Sequence, residues 1–230
     1  LRVDQTLILQ QGMAKDSNSI LLPHINFSQQ LFTNITDSIP INYKHEENEF
    51  IDFDRQLLIP HKVSTEGPKI AVGDVNGDGL QDFYIGGAKY QPGKLFVQTK
   101  DGKFISTNEK LFHQDSVCED VDAVFFDADG DGDQDLYVVS GGNEFFDHMH
   151  PLLDRLYLND GKGNFTKSAD ALPDMFTNKS CVKVADYDSD GDMDIFVGGR
   201  VDSQHYGVIP DSYLLINDGK GHFKIATDQL

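Results

Sequence analysis

Three stretches of this 230-residue chain set short oxygen-bearing side chains at alternate positions around a glycine. They are Asp74-Val-Asn-Gly-Asp-Gly-Leu-Gln-Asp82, Asp127-Ala-Asp-Gly-Asp-Gly-Asp-Gln-Asp135 and Asp186-Tyr-Asp-Ser-Asp-Gly-Asp-Met-Asp194. In a tightly curled loop, donors at positions 1, 3, 5 and 9 turn inward together. A glycine at position 6 lets the chain reverse so that the position 7 carbonyl joins them. The donor sets expected are Asp74, Asn76, Asp78, the Leu80 carbonyl and Asp82; Asp127, Asp129, Asp131, the Asp133 carbonyl and Asp135; and Asp186, Asp188, Asp190, the Asp192 carbonyl and Asp194. The side chains of Asp133 and Asp192 are expected to face solvent. Such an all-oxygen cage suits calcium, which accepts six to eight oxygen ligands in loose geometry, better than magnesium, and it offers soft metals no ligand. Without a cation, carboxylates this close repel one another, and one or more must take up a proton.

The elements that hold these loops repeat. Asp74, Asp127 and Asp186 stand 53 and 59 residues apart, each between two apolar, β-branched or aromatic runs too short for ordinary helices. A second unit follows each loop: Lys94-Leu-Phe-Val-Gln-Thr-Lys-Asp-Gly-Lys-Phe104, Arg155-Leu-Tyr-Leu-Asn-Asp-Gly-Lys-Gly-Asn-Phe165 and Tyr213-Leu-Leu-Ile-Asn-Asp-Gly-Lys-Gly-His-Phe223. These read as hairpins whose Asn, Asp and Gly residues supply positive φ angles at the turn. Each repeat is therefore strand, acidic loop, strand, connection, strand, turn, strand. The fold class expected is all-β, with four-stranded antiparallel blades of a propeller over residues 69–120, 121–180 and 181–230, and a partial ring, since propellers have four to eight blades. Two insertions, Gly141 to Asp154 and Arg200 to Asp211, push the hairpin away from its loop and are candidates for a working face. Residues 1–30 match no blade, whereas 31–36 resemble a hairpin-closing strand.

A single acidic loop in an acidic chain is more simply an Asx-rich turn without metal; recurrence at one place in three repeats favours the cage. A helical EF-hand needs an acidic ligand at position 12, where this chain has Ile85, Val138 and Val197 inside strand-like runs.

Composition narrows the partners. The 38 Asp and Glu against 19 Lys and Arg give a net charge of −19, which repels nucleic acid and anionic lipid and leaves −13 after three divalent ions. No apolar run reaches the length of a spanning helix, and no signal-peptide pattern opens the chain. Cys118 and Cys181 lack metal or redox spacing, and a disulfide and two buried thiols are both open readings. Asn26, Asn34, Asn164 and Asn178 open glycosylation sequons that matter only in a eukaryotic secretory route. No Walker, dinucleotide, GxSxG or HExxH motif occurs.

The loops resemble the FG-GAP repeat, the calcium-loop propeller blade of integrin α-subunits and of bacterial surface proteins also labelled VCBS repeats. Gly73 to Ala88 follows that pattern nearly throughout, and the resemblance covers about residues 69–230. More narrowly, Phe32-Thr-Asn-Ile-Thr36, Gly67-Pro-Lys-Ile-Ala-Val-Gly-Asp74 and the Asn-Asp-Gly-Lys-Gly hairpins are similar to the cartilage-acidic-protein, ASPIC/UnbV-associated type. In that type an ASPIC/UnbV module follows the propeller, and Val3 to Leu9 resembles the end of one. Residues 1–30 would then be a linker or tail, and Leu1 would fall mid-chain in a multi-unit protein. The resemblance implies a propeller over 31–230, calcium at the matched positions, and an extracellular or cell-surface location, on a bacterial outer surface or in a periplasm. Asn76 departs from the aspartate of the other loops and lowers the charge of the first.

The function expected is a non-enzymatic, calcium-stiffened scaffold that binds a protein or glycan through its inter-blade loops. Carboxylates committed to an ion are not free for acid or base work. The alternative is a polysaccharide-acting lyase or hydrolase, with Glu144, Asp147, His148, His150, His205 and Tyr206 of the insertions as candidate groups, although a His-Met-His in a polar loop is usually a solvated or locally bonded pair.

Overall fold

A computed structural model of the protein describes residues 34–35, 37–39, 41–146 and 148–229. The chain divides into Leu1–Thr36 and Asp37–Leu230, and the second unit carries every element named below. The tail expected over 1–30, and the strand expected over 31–36 apart from Asn34 and Ile35, lie outside the described residues.

Each repeat forms one four-stranded antiparallel sheet in sequential order. Blade 1 consists of β1 (Ile70–Gly73), β2 (Asp82–Ile85), β3 (Lys94–Gln98) and β4 (Phe104–Thr107). Blade 2 consists of β5 (Asp120–Phe126), β6 (Asp135–Ser140), β7 (Arg155–Asn159) and β8 (Phe165–Lys167). Blade 3 consists of β9 (Asn178–Ala185), β10 (Asp194–Val201), β11 (Tyr213–Asn217) and β12 (Phe223–Ile225). One-turn helices α1 (Asp52–Arg55) and α2 (Glu109–His113) do not alter the all-β class. The register decides what happens to the acidic loops. Gly73 pairs with Asp82, Phe126 with Asp135 and Ala185 with Asp194, so loop positions 1 to 8 bridge a closed strand pair and position 9 is the first residue of the second strand. Ile85, Val138 and Val197 lie in strands, which removes a helical EF-hand.

The blades stack face to face, with β1 against β5 and β5 against β9. Strand alternation sends one set of side chains to each junction. Ala71, Tyr84 and Leu95 of blade 1 meet Phe125, Leu136 and Tyr157 of blade 2 in one core. Phe126, Tyr137 and Leu156 meet Val182, Ile195 and Leu215 of blade 3 in another. Burying each such side chain is worth about 1.5–3 kcal/mol, so these junctions hold the stack together. Blade 1 leaves Ile70 57% exposed at the position where blades 2 and 3 bury Ala123 and Val182 against the preceding sheet.

Residues 41–69 run across the strand ends opposite the acidic loops and touch all three blades. The Tyr43 hydroxyl donates to the Gly86 carbonyl (2.7 Å), Arg55 to the carbonyls of Asn143 and Glu144, Gln56 Nε2 to the Asp202 carbonyl (2.8 Å), and Arg200 pairs with Glu66 at 2.8 Å. Asp52 of this segment is fully buried, accepting from the Ser64 hydroxyl at 2.5 Å and from Asn143 Nδ2 at 2.9 Å. Nothing in the polar sequence of Asn42 to Glu49 announces this strap. Cys118 and Cys181 are free thiols. No helix among the described residues is long and apolar enough to cross a membrane.

Candidate metal centre

The acidic loops are wound around their own carboxylates. In the first two, the position 1 aspartate accepts the amides of positions 4 and 6: Gly77 (2.8 Å) and Gly79 (2.8 Å) on Asp74, and Gly130 (2.8 Å) and Gly132 (3.1 Å) on Asp127. In the third, Asp186 accepts the amides of Asp190 and Gly191. Position 3 accepts the amide of position 5, and position 5 that of position 7. Curling this tightly needs left-handed backbone at positions 4 and 6. Glycine supplies it everywhere except Ser189, which holds φ 65° at position 4 of the third loop.

Position 9 is a clamp. Asp82, Asp135 and Asp194 are buried, and each carboxylate accepts two amides: one from loop position 2 (Val75, Ala128, Tyr187) and one from the third strand (Gln98, Asn159, Asn217), at 2.7–3.0 Å. Every accepting oxygen retains a second lone pair for an ion.

Oxygens of Asp127, Asp129 and Asp135 lie within 4.8 Å of one another, as do those of Asp186, Asp188 and Asp194. Two acidic clusters can therefore each hold a metal ion with positions 1, 3 and 9. Asp131 and Asp190 at position 5 fall outside these trios, turned to the position 7 amides. The first loop has the same backbone winding but no carboxylate trio: Asn76 stands at position 3, its Nδ2 donating to Asp78 at 3.3 Å. Asp133 and Asp192 lie outside the trios at the loop surface, as expected, and meet the hairpin turn there. Both are half-buried, and a Cβ on Gly161 or Gly219, in the hairpin turn of the same blade, would strike their carboxylates at 2.4 and 2.3 Å. The glycine in the turn makes room for the acidic side chain in the loop.

Burial first, then the neighbouring carboxylates Asp129 and Asp131, push Asp135 up to about 6 against two amide bonds that lower it. Asp82, Asp129 and Asp188 are raised for the same two reasons. In all three loops burial is the larger cause and the neighbouring carboxylates add to it.

The neighbouring blade completes each of the first two loops. Asn159 Nδ2 donates to the Val75 carbonyl of blade 1 (2.7 Å) and to the Gln134 carbonyl of its own blade (3.1 Å). Asn217 Nδ2 repeats this on Ala128 (2.8 Å) and Met193 (3.2 Å). Position 2 of one loop is thus tied both to its own position 9 aspartate and to the next blade's hairpin. In the sequence these asparagines read only as turn formers; their recurrence as the first residue of Asn-Asp-Gly-Lys-Gly is the signal that marks them. Two buried networks also escape a reading of the sequence: Tyr84 and Arg155 on Asp120 (2.8 and 2.7 Å), and Tyr137 and Lys179 on Asp154 (2.6 and 3.4 Å).

The candidate catalytic groups have different settings. Glu144 is buried in an ion pair with Lys89 at 2.5 Å, the His148 ring lies tilted against Phe176 with centroids 5.2 Å apart, His150 opens a short 3-10 turn, His205 sits on Asp202 at 3.2 Å, and Tyr206 is exposed; Asp147 lies outside the described residues. Asn178 is buried, which takes its sequon out of reach of a glycosyl carrier in the folded chain.

An acidic loop in each of several stacked four-stranded blades defines a class of repeat scaffold. The FG-GAP-like repeat matches this chain twice, over residues 74–138 and 127–197, together more than half its length, and the chain belongs to that family. No curated protein matches it.

Proposed function

We propose that the chain is a calcium-binding, non-enzymatic propeller scaffold that works outside the cell and presents its insertion loops to a protein or glycan. The carrying observation is the interlocking of loop and junction. An ion drawn to Asp127, Asp129 and Asp135 sits one residue from Ala128, whose carbonyl receives Asn217 of the next blade, so occupancy stiffens the blade contact and not the loop alone. Calcium is the ion chosen because the donors are all oxygen. In this reading Asp131, Asp190 and the carbonyls of Leu80, Asp133 and Asp192 complete the shells, and the Asn76 site is a third and weaker one. The insertions Gly141 to Asp154 and Arg200 to Asp211 supply a ligand face, with a cavity of about 450 Å³ lined by His148, Phe176, Asp202 and Ile209. The ASPIC/UnbV-associated type, the preceding module at 1–30 and a bacterial surface or periplasmic location belong to the same proposal. Further blades fit it too, since they would cover Ile70 and Val72, both more than half exposed.

Isothermal titration of the chelator-treated chain with calcium at pH 7.5 is the test. Three binding events are expected, with one fewer in Asp129→Ala. Absence of binding heat, together with an unchanged melting temperature, overturns the calcium reading.

A further inference from the structure

We propose that the place where β5, β9 and β10 meet the 41–69 segment is a binding site for an oxyanion, a sulfate or carboxylate group. A cavity of about 410 Å³ opens there, with Lys62, Thr65, Glu66, Lys69, Ser180 and Arg200 around it and Val121 in its wall. Lys62, Thr65 and Glu66 come from the strap, Lys69 immediately precedes β1, Val121 belongs to β5, Ser180 to β9 and Arg200 to β10. Blades 2 and 3 contribute, together with the last strap residue before β1, at the strand ends opposite the acidic loops.

The charge of this cavity runs against that of the chain. With acids outnumbering bases two to one, a cavity lined without selection is acidic, and the one between the insertion loops has Asp174, Asp202 and Asp211 with no lysine or arginine. Here three cations face one carboxylate. Glu66 is engaged by Arg200 at 2.8 Å, and Arg200 also touches His61 Nε2 at 3.2 Å, which holds the guanidinium in place. Lys62 and Lys69 enter no ion pair among the described residues, so two ammonium groups remain uncompensated. Thr65 and Ser180 add hydroxyl donors. With Val121 as the apolar part of the lining and no aromatic ring, the cavity does not suit an apolar side chain; it suits a small polar anion, free or carried on a sugar.

The test uses the calcium-saturated chain at constant ionic strength, with sodium sulfate, glucuronate and, as neutral control, glucose as probes. Titration calorimetry is expected to show binding of sulfate or glucuronate and none of glucose. Lys62→Met/Lys69→Met, both exposed positions, should weaken binding about tenfold or more with an unchanged melting temperature in the absence of probe. Glu66→Gln, which removes the competing carboxylate, should strengthen it. Tighter binding of glucuronate identifies a sugar-borne anion as the ligand, and tighter binding of sulfate a free one. No binding of either anion at about 10 mM, equal binding of glucose, or equal affinity in the double methionine variant overturns the proposal.

Discussion

Asp129 and Asp133 are both loop aspartates, yet they face different tasks. Asp129 shares a trio with Asp127 and Asp135, whereas Asp133 lies against Gly161 of the hairpin turn. Asp129→Ala should therefore weaken calcium binding at the second loop about tenfold or more, and Asp133→Ala by less than about threefold, read by titration calorimetry. Ser189 occupies a left-handed position that the other loops give to glycine, and Ser189→Gly should raise stability by about 0.5–1 kcal/mol in denaturant unfolding. Glu119 provides the pH dependence. Burial first, then the charge of Glu47, with Asp120 and Glu144 also nearby and the Lys89 amide opposing, pushes it up to about 8 from 4.5. The folded state holds this proton more tightly than the unfolded chain, so the associated stability is complete below about 4.5 and is lost as pH rises through about 8. Glu119→Gln should accordingly raise the melting temperature at pH 8.5 and leave it nearly unchanged at pH 5, measured by calorimetry. A wild-type melting curve no more pH-dependent than that of the variant contradicts this placement of Glu119.

At the level of elements, the two hairpin asparagines are inter-blade ties. Asn159→Ala or Asn217→Ala strands the Val75 or Ala128 carbonyl at a buried junction and should cost about 1–3 kcal/mol in denaturant unfolding with calcium present. Asn164, exposed in the same hairpin and bonded only to Asp160, is the control, with an expected cost below about 0.5 kcal/mol. The strands and loops themselves were legible because their signals are local: β-branched runs of four to eight residues, glycines where φ must be positive, and donors spaced by two. The strap over 41–69 was not, because its order comes from distant partners, Gly86, Asn143, Asp202 and Arg200, that no periodicity in Asn42 to Glu49 encodes. The contact of the position 7 side chains with the hairpin turn is not legible for the same reason. Their surroundings are set by a hairpin turn about thirty residues downstream, and an acidic residue in an acidic loop reads as solvent-facing until that turn is in place.

Across the whole molecule, three sheets are joined through two apolar junctions, one polar strap and the carboxylate loops, and each loop set brings like charges together in a chain of −19. The apolar junctions favour the stack whatever the solution contains; the loops favour it only when their repulsion is neutralised. The second loop should bind most tightly. It has the full carboxylate trio, and Asp127 and Asp129 are half-buried where the turn carrying Gly219 and Gly221 approaches, whereas Asp186 and Asp188 of the third loop are exposed. Differential scanning calorimetry of one preparation at pH 7.5, in a chelator and then in excess calcium or magnesium, reads out whether ion binding in the loops stabilises the stack. An ion at 100 times its dissociation constant stabilises the folded chain by about 2.7 kcal/mol per site. The melting temperature is expected to be about 5 °C or more higher in calcium than in chelator, with magnesium giving a markedly smaller rise. Coincident transitions in chelator and calcium would contradict that stabilisation.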